Sequence, residues 1–166
     1  SNTTVNGNTN SGSIILSNYE VGGIIGYSES YSESILAVNN NNFTGSAKIE
    51  DAAEYVGGIA GYNDVYDNSK VQVNGNQIDG LVGSASDGGR YVDDSIGGVV
   101  GFVYCNVPYT ESGDCVYSNN TNNSEIFANN YYAGGAVGYL ENYGNVMLEG
   151  NISNGNVTAE YDGSAG

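Results

Sequence analysis

The chain contains no histidine and no tryptophan, one proline, two cysteines and three basic residues among 166. Without imidazole, the usual forms of nucleophilic, zinc and general-base catalysis are ruled out. With 3 Lys and Arg against 19 Asp and Glu, the formal charge is −16. Nucleic-acid phosphates and anionic lipid headgroups are repelled by such a surface, so neither is an expected partner. No apolar run reaches the roughly 18–20 residues of a membrane span, and membrane insertion is not expected. The opening SNTTVNGNTN has none of the basic, apolar or cleavage regions of a signal peptide, so any export signal or anchor is expected to have been removed or to lie outside this sequence. Two thiols without histidine cannot build a zinc site. Cys105 and Cys115 enclose NVPYTESGD, a polar segment with the only proline and a Ser-Gly turn. That gap suits a local disulfide, which points to an oxidising compartment.

What the chain has in quantity is glycine, asparagine, serine and tyrosine, arranged in a repeat. VGGIIGY (Val21 to Tyr27) returns as VGGIAGY (Val56 to Tyr62), IGGVVGF (Ile96 to Phe102) and AGGAVGY (Ala133 to Tyr139). The recurring positions are Gly22, Gly23, Gly26 and Tyr27; Gly57, Gly58, Gly61 and Tyr62; Gly97, Gly98, Gly101 and Phe102; and Gly134, Gly135, Gly138 and Tyr139. Aligning residues 21–45 with 56–80 without a gap gives twelve identities in twenty-five positions. A second half-repeat, VQVNGNQIDGLV from Val71, recurs as TTVNGNTNSGSI from Thr3 and VMLEGNISNGNV from Val146. The copy from Val116, VYSNNTNNSEIF, is degenerate, with Glu125 where the final glycine is expected. First glycines of the heptad are 35, 40 and 37 residues apart, so length changes fall between repeats, as solenoid arrays allow.

Short runs of Val, Ile and Tyr between Asn, Gly, Ser and Asp read as strands and turns, and no 3.6-residue period occurs. The expected fold is an all-β solenoid, one repeat domain over residues 1–166. It divides into a partial repeat 1–20 and repeats of about 35–40 residues at 21–55, 56–95, 96–132 and 133–166. Read as one strand, the heptad alternates Gly22, Ile24 and Gly26 with Val21, Gly23, Ile25 and Tyr27, a strand apolar on both faces and buried on both. In-register stacking would align Tyr27, Tyr62, Phe102 and Tyr139 as an aromatic ladder within the core, and Asn41 and Asn76 as part of an asparagine ladder. Asn74-Gly75 between alternating residues also suits a type I′ turn, so an antiparallel array of hairpins is the alternative fold.

The succession Gly-Gly-apolar-x-Gly-aromatic, variable loop, strand and Gly-x-Val ending resembles the GLUG repeat of secreted and surface-attached proteins. The resemblance covers nearly the whole chain, although Ile24, Ile59, Val99 and Ala136 stand where that repeat carries leucine. It implies a β-solenoid on a cell surface, extracellular, with no catalytic residues to carry over.

Candidate sites are sparse. GGIIG lacks the Lys and the following helix of a phosphate loop. Arg90 beside Asp93 and Asp94 imitates a polysaccharide-lyase arrangement, but a solvated ion pair explains it more simply. Asp64, Asp67, Asp79, Asp87, Asp93, Asp94 and Asp114 lie in turn-rich segments, yet without the spacing of a known calcium loop they read as turn residues. No cofactor is expected. N-x-[ST] sequons begin at Asn2, Asn42, Asn119, Asn122, Asn151 and Asn156, candidates for N-glycosylation on the polar half of the repeat.

The expected function is therefore non-enzymatic: a structural or adhesive segment of an extracellular surface fibre, assembling end to end by strand stacking. Its partners would be copies of itself or flanking repeats, with glycans as a further class. The array is read as interrupted in mid-repeat, Ala165 and Gly166 standing like Ala133 and Gly134. A carbohydrate-binding module is the alternative, because 15 tyrosines supply stacking surfaces. A β-helix polysaccharide lyase or hydrolase ranks below both.

Overall fold

The computed structural model describes residues 1–16, 19–49, 53–83, 92–108, 114–128, 132–159 and 164–166. Among them there is no helix, and short strands follow one another in coils. The first coil comprises β1 (Asn2–Asn6), β2 (Thr9–Asn10), β3 (Ser13–Leu16), β4 (Glu20–Gly22) and β5 (Ile25–Ser30). The second runs through β6 (Ile35–Asn39), β7 (Asn42–Phe43), β8 (Ser46–Ile49), β9 (Ala53–Gly57) and β10 (Ala60–Tyr66). The third has β11 (Lys70–Asn74), β12 (Gln77–Ile78), β13 (Leu81–Gly83), β14 (Val92–Gly97) and β15 (Val100–Asn106). The fourth has β16 (Asp114–Ser118), β17 (Thr121–Asn122), β18 (Ile126–Ala128), β19 (Tyr132–Gly134) and β20 (Val137–Asn142). Four strands of a fifth follow: β21 (Val146–Glu149), β22 (Ile152–Ser153), β23 (Val157–Ala159) and β24 (Ser164–Ala165).

Each strand pairs in parallel with the strand five places on, which builds five sheets running the length of the molecule. Sheet A is β1-β6-β11-β16-β21, B is β2-β7-β12-β17-β22, and C is β3-β8-β13-β18-β23. Sheet D is β4-β9-β14-β19-β24, and E is β5-β10-β15-β20. The chain is a β-solenoid in which one repeat makes one coil. The antiparallel hairpin array is overturned at the Asn-Gly step itself. Gly7, Asn40, Gly75, Asn119 and Gly150 all have φ between 53° and 67°, one in each coil. At each, the left-handed residue turns the chain from sheet A into sheet B rather than back on itself. Asn and Gly share this place because both tolerate that backbone conformation.

The glycine heptad is also not the single strand expected. Its first two residues end a strand of sheet D, its last three begin a strand of sheet E, and a bend at its third and fourth residues makes the corner. Here the glycines are required by close approach. A Cβ on Gly57 would overlap the Ala60 carbonyl across the bend, and one on Gly58 would overlap the Gly98 carbonyl of the next coil. A Cβ on Gly61 would lie 2.6 Å from the Gly26 carbonyl of the previous coil. The corners stack through shared carbonyls: Ile59 and Ala60 N–H both donate to Val99 O, at 2.9 and 3.1 Å, as Val99 and Val100 do to Ala136 O. The fourth-position residues Ile59 and Val99 point inward and are fully buried.

Inward-facing residues form continuous rows. Val38, Val73 and Tyr117 are stacked in sheet A, Phe43 and Ile78 in B, Val82 and Ile126 in C, and Val56 and Ile96 in D, all buried. A row of asparagines runs beside them. Asn8, Asn41, Asn76 and Asn120 each donate backbone and amide N–H to the Oδ1 of the asparagine in the next coil, ending at Asn151, at 2.8–3.1 Å. The amides of Asn41, Asn76, Asn120 and Asn151 also reach back to Val5 O, Val38 O, Val73 O and Tyr117 O. This ladder satisfies buried corner amides that no strand partner serves. In the degenerate copy, Val82 pairs with Ile126, which puts Ser124 rather than Glu125 level with Gly80.

A candidate binding face of tyrosines and carboxylates

Sheet E presents side chains to two sides by the two-residue period of a strand. Asn63 and Val65 point inward and are fully buried, and Asn63 donates to the Tyr117 hydroxyl at 3.1 Å across the interior. Tyr62, Asp64 and Tyr66 therefore point outward. The same spacing, aromatic-x-acid-x-Tyr, occurs at Tyr27, Glu29 and Tyr31 and at Tyr139, Glu141 and Tyr143. The third coil departs from it, with Phe102, Tyr104 and Asn106.

The register brings Tyr27, Tyr62, Phe102 and Tyr139 onto successive rungs. Their ring centroids are 5.3, 4.8 and 5.2 Å apart. Tyr55 and Tyr132 of sheet D lean against this row, Tyr55 at 5.2 Å from Tyr62 and 4.8 Å from Phe102, Tyr132 at 4.7 Å from Tyr139. A second row joins Tyr66 to Tyr104 at 5.5 Å and Tyr104 to Tyr143 at 5.8 Å. The ladder thus lies on the outer side of sheet E, a correction to the core placement: Tyr27 is 46% exposed, Tyr62 and Tyr139 are half-buried, and Phe102 is buried among its aromatic neighbours. The interior wall behind them is already filled by Asn63, Val65, Val103 and Tyr117. Tyr66 ends β10 and belongs to the same face.

Carboxylates lie between the two aromatic rows. Tyr31 donates to Glu29 at 3.0 Å, Tyr143 to Glu141 at 2.7 Å, and Tyr66 to Asp64 Oδ2 at 3.1 Å, with Tyr27 reaching the same oxygen at 3.4 Å. Asp64 is only 6% exposed, and its Oδ1 is buried without a hydrogen-bond partner. Burial raises its pKa, the Tyr66 hydroxyl opposes that rise, and the neighbouring Glu29 charge adds to it. Desolvation and the Asp64 charge in turn push Tyr27 and Tyr66 up to about 12. Such a face can stack on a flat ligand and accept hydrogen bonds from it. Glu29, Asp64, Glu141, Tyr31, Tyr66 and Tyr143 all lie beyond the heptad, and Asp64, expected as a turn residue, sits within β10. The period-two spacing of aromatic, acid and tyrosine after the last glycine is the signal that marks them.

The other candidates distribute differently. Cys105 and Cys115 form a disulfide, with Cα atoms 6.4 Å apart. Both are fully buried, so the bridge sits inside the solenoid at the corner from sheet E to sheet A and not on a polar loop. Val65 pairs with Cys105 and Val71 with Cys115, so the bridge continues two buried apolar rows where the connecting segment has lengthened. Among the sequons, Asn2, Asn119 and Asn156 are exposed and Asn42 is half-buried. Asn122 is fully buried, its amide donating to Ser124 O and Ser153 Oγ at 3.3 Å, which leaves no room for a glycan on the folded chain. Asn151 is held in the asparagine ladder. Asp79 accepts from Gln77 and Asn123, and Asp114 pairs with Lys70 at 3.7 Å. Among the described residues no three His, Cys, Asp or Glu side chains gather in a metal-holding cluster. Arg90 and Asp87 lie outside the described residues. A shallow hollow of about 210 Å³ at the first coil is lined by Ser28, Glu29, Ser34 and Leu36 among others, and offers hydroxyls and one carboxylate. Comparison with family models, curated proteins and solved structures finds no match to this chain.

Proposed function

We propose that the chain is a non-enzymatic structural segment of an extracellular surface fibre of GLUG-like repeats, its coils continuing by strand stacking into flanking coils or another copy. The observation that supports this reading is the polarity of the asparagine ladder. Each rung donates N–H to the next, so continuing the pattern leaves the Asn151 backbone N–H and the amide N–H not used by Tyr117 O for a further coil beyond the last, and the Oδ1 of Asn8 for one before the first. One end of the stack is a donor surface and the other an acceptor surface, as head-to-tail continuation requires. Parallel edges at both ends carry the same complementarity in the backbone. The absence of histidine and the three basic residues favour a structural over a catalytic role.

The test is light scattering and sedimentation across a salt series, with electron microscopy of the native material. Because −16 charges per copy oppose stacking, assembly strengthens as salt shortens the Debye length to ~10 Å at 0.1 M. Asn151→Asp, which replaces the end donor with an acceptor and also gives up the bond to Tyr117 O, weakens it, and a circular-dichroism melt separates lost assembly from lost fold. Monomers at all salt concentrations, together with no filaments in native material, overturn the proposal.

A further inference from the structure

The fibre reading leaves one feature unexplained: a carboxylate oxygen buried without a partner beneath an outward aromatic face. We propose that the outer face of sheet E, centred on Asp64, binds a polysaccharide that carries free amino groups, with pyranose rings lying against the outward Tyr27, Tyr62 and Tyr139 and an ammonium seated on Asp64. This binding is separate from end-to-end stacking, because the face runs along the solenoid and not across its ends.

Asp64 is the reason the face is more than a packed aromatic surface. Its Oδ2 is held by Tyr66 and, at a long 3.4 Å, by Tyr27, whereas Oδ1 accepts from nothing. A buried carboxylate oxygen without a donor is a costly arrangement for a chain to keep. Tyr27 is the more weakly held part of the cover: its ring is 46% exposed and its bond to Asp64 is the longer one. An incoming ammonium replaces that hydroxyl, gains the carboxylate and lies against tyrosine π-faces that attract a cation.

Charge selects the cation over the alternatives. Glu29 is level with Asp64 on the adjacent rung, and Glu141 lies further along the same face. A second copy of the chain docked here would set these carboxylates against their own equivalents, and an anionic glycan would be repelled in the same way. Shape selects the glycan over a basic peptide. Peptides gain their main-chain bonds at a sheet edge or their anchors in a groove, and the edges of sheet E lie at the ends of the stack. Along its length the face offers a packed aromatic row at 4.8–5.3 Å spacing, with Tyr27, Tyr62 and Tyr139 partly open and Phe102 buried between them, an elongated surface against which a sugar chain can lie.

The experiment is calorimetric titration of the whole chain, in mildly acidic low-salt buffer, with glucosamine hexamer, its fully N-acetylated counterpart and hexalysine. The expected result is binding of the glucosamine oligomer, at least tenfold weaker for the acetylated one and for hexalysine. Asp64→Asn, which keeps the side-chain shape, and Tyr27→Ala, at the exposed end of the row, each weaken it at least tenfold. Asp79→Asn, an exposed carboxylate just after β12, leaves it unchanged. Equal binding of the acetylated oligomer removes the ammonium from the proposal and overturns it. Hexalysine binding as well as the sugar reduces the face to a non-specific anionic surface, which also overturns it, as does binding that survives in Asp64→Asn. A circular-dichroism melt of each variant keeps loss of fold apart from loss of binding. Failure here leaves the fibre proposal standing, since its readout is assembly.

Discussion

The asparagine ladder makes the most demanding prediction, and Asn76 at its middle is the place to test it. Asn76 is 1% exposed and takes part in five ladder bonds. In Asn76→Leu the volume is nearly conserved, but the backbone N–H of Asn41 loses its acceptor at 2.8 Å and the Asn41 amide loses its acceptor at 3.0 Å. Val38 O loses its amide donor at 2.9 Å, while Asn120 Oδ1 keeps the backbone N–H of residue 76 at 3.0 Å. Three buried polar atoms thus each lose a bond, the Asn41 amide keeping its other one to Val5 O. At ~2 kcal/mol each, less ~2 returned by burying an apolar side chain, the net loss is about 4 kcal/mol. Against a total stability of roughly 5–15 kcal/mol that is a large share. For a chain of this size the loss lowers Tm by roughly 8–16 °C. Asn154→Ala removes an exposed bond of 2.7 Å to Asn123 and is the control, with a change within about 0.5 kcal/mol. Urea titration followed by circular dichroism reads the stability, and hydrogen exchange reads the Asn41 amide. If both variants melt together and the Asn41 amide stays protected in Asn76→Leu, the ladder does not hold the coils in register.

Reduction of Cys105–Cys115 frees a short segment and costs ~3 kcal/mol by the loop-entropy relation; intact-mass measurement finds no alkylation before reduction, and uptake of two alkyl groups without reductant refutes the bridge. Gly98→Ala forces a methyl into the Gly135 carbonyl and the Asn122 side chain and costs ~2–3 kcal/mol, whereas Gly12→Ala meets only Asn10 Oδ1 at 3.4 Å and stays within about 0.5 kcal/mol; equal urea midpoints would show that the corner has room. Tyr27 and Tyr66 have folded pKa values near 12, above the unfolded value of about 10, and burial raises that of Tyr117 as well. The unfolded chain therefore loses protons first, so the stability these groups contribute is whole below about pH 10 and falls as pH rises towards 12. An alkaline melt series with tyrosinate absorbance checks this, and a Tm flat through that window would contradict it.

The class, the repeat and several fixed points are legible in the residues alone. Valine and tyrosine runs broken by glycine and asparagine gave strands, and the heptad spacing made them a stack. The recurrence of Asn41 and Asn76 marked a row whose full extent, Asn8 to Asn151, needed the coordinates, because the fourth copy had diverged around Asn120. The two cysteines were legible as a pair, but not as part of the interior. Only the tertiary structure decided that the heptad is a corner, since a Gly-Gly step in an apolar run reads equally as a buried strand until the carbonyls it must clear are in place. It also decided which way the tyrosines face. A two-residue period says which side chains share a side, here Tyr62 with Asp64 and Tyr66, but not which side is inside. Hydrophobicity favoured burying the aromatic side. The opposite occurs because Tyr117, projecting from sheet A, takes up the interior volume and supplies the hydroxyl that satisfies Asn63, so the polar residue is the one that can be buried and the aromatic row is left to the surface.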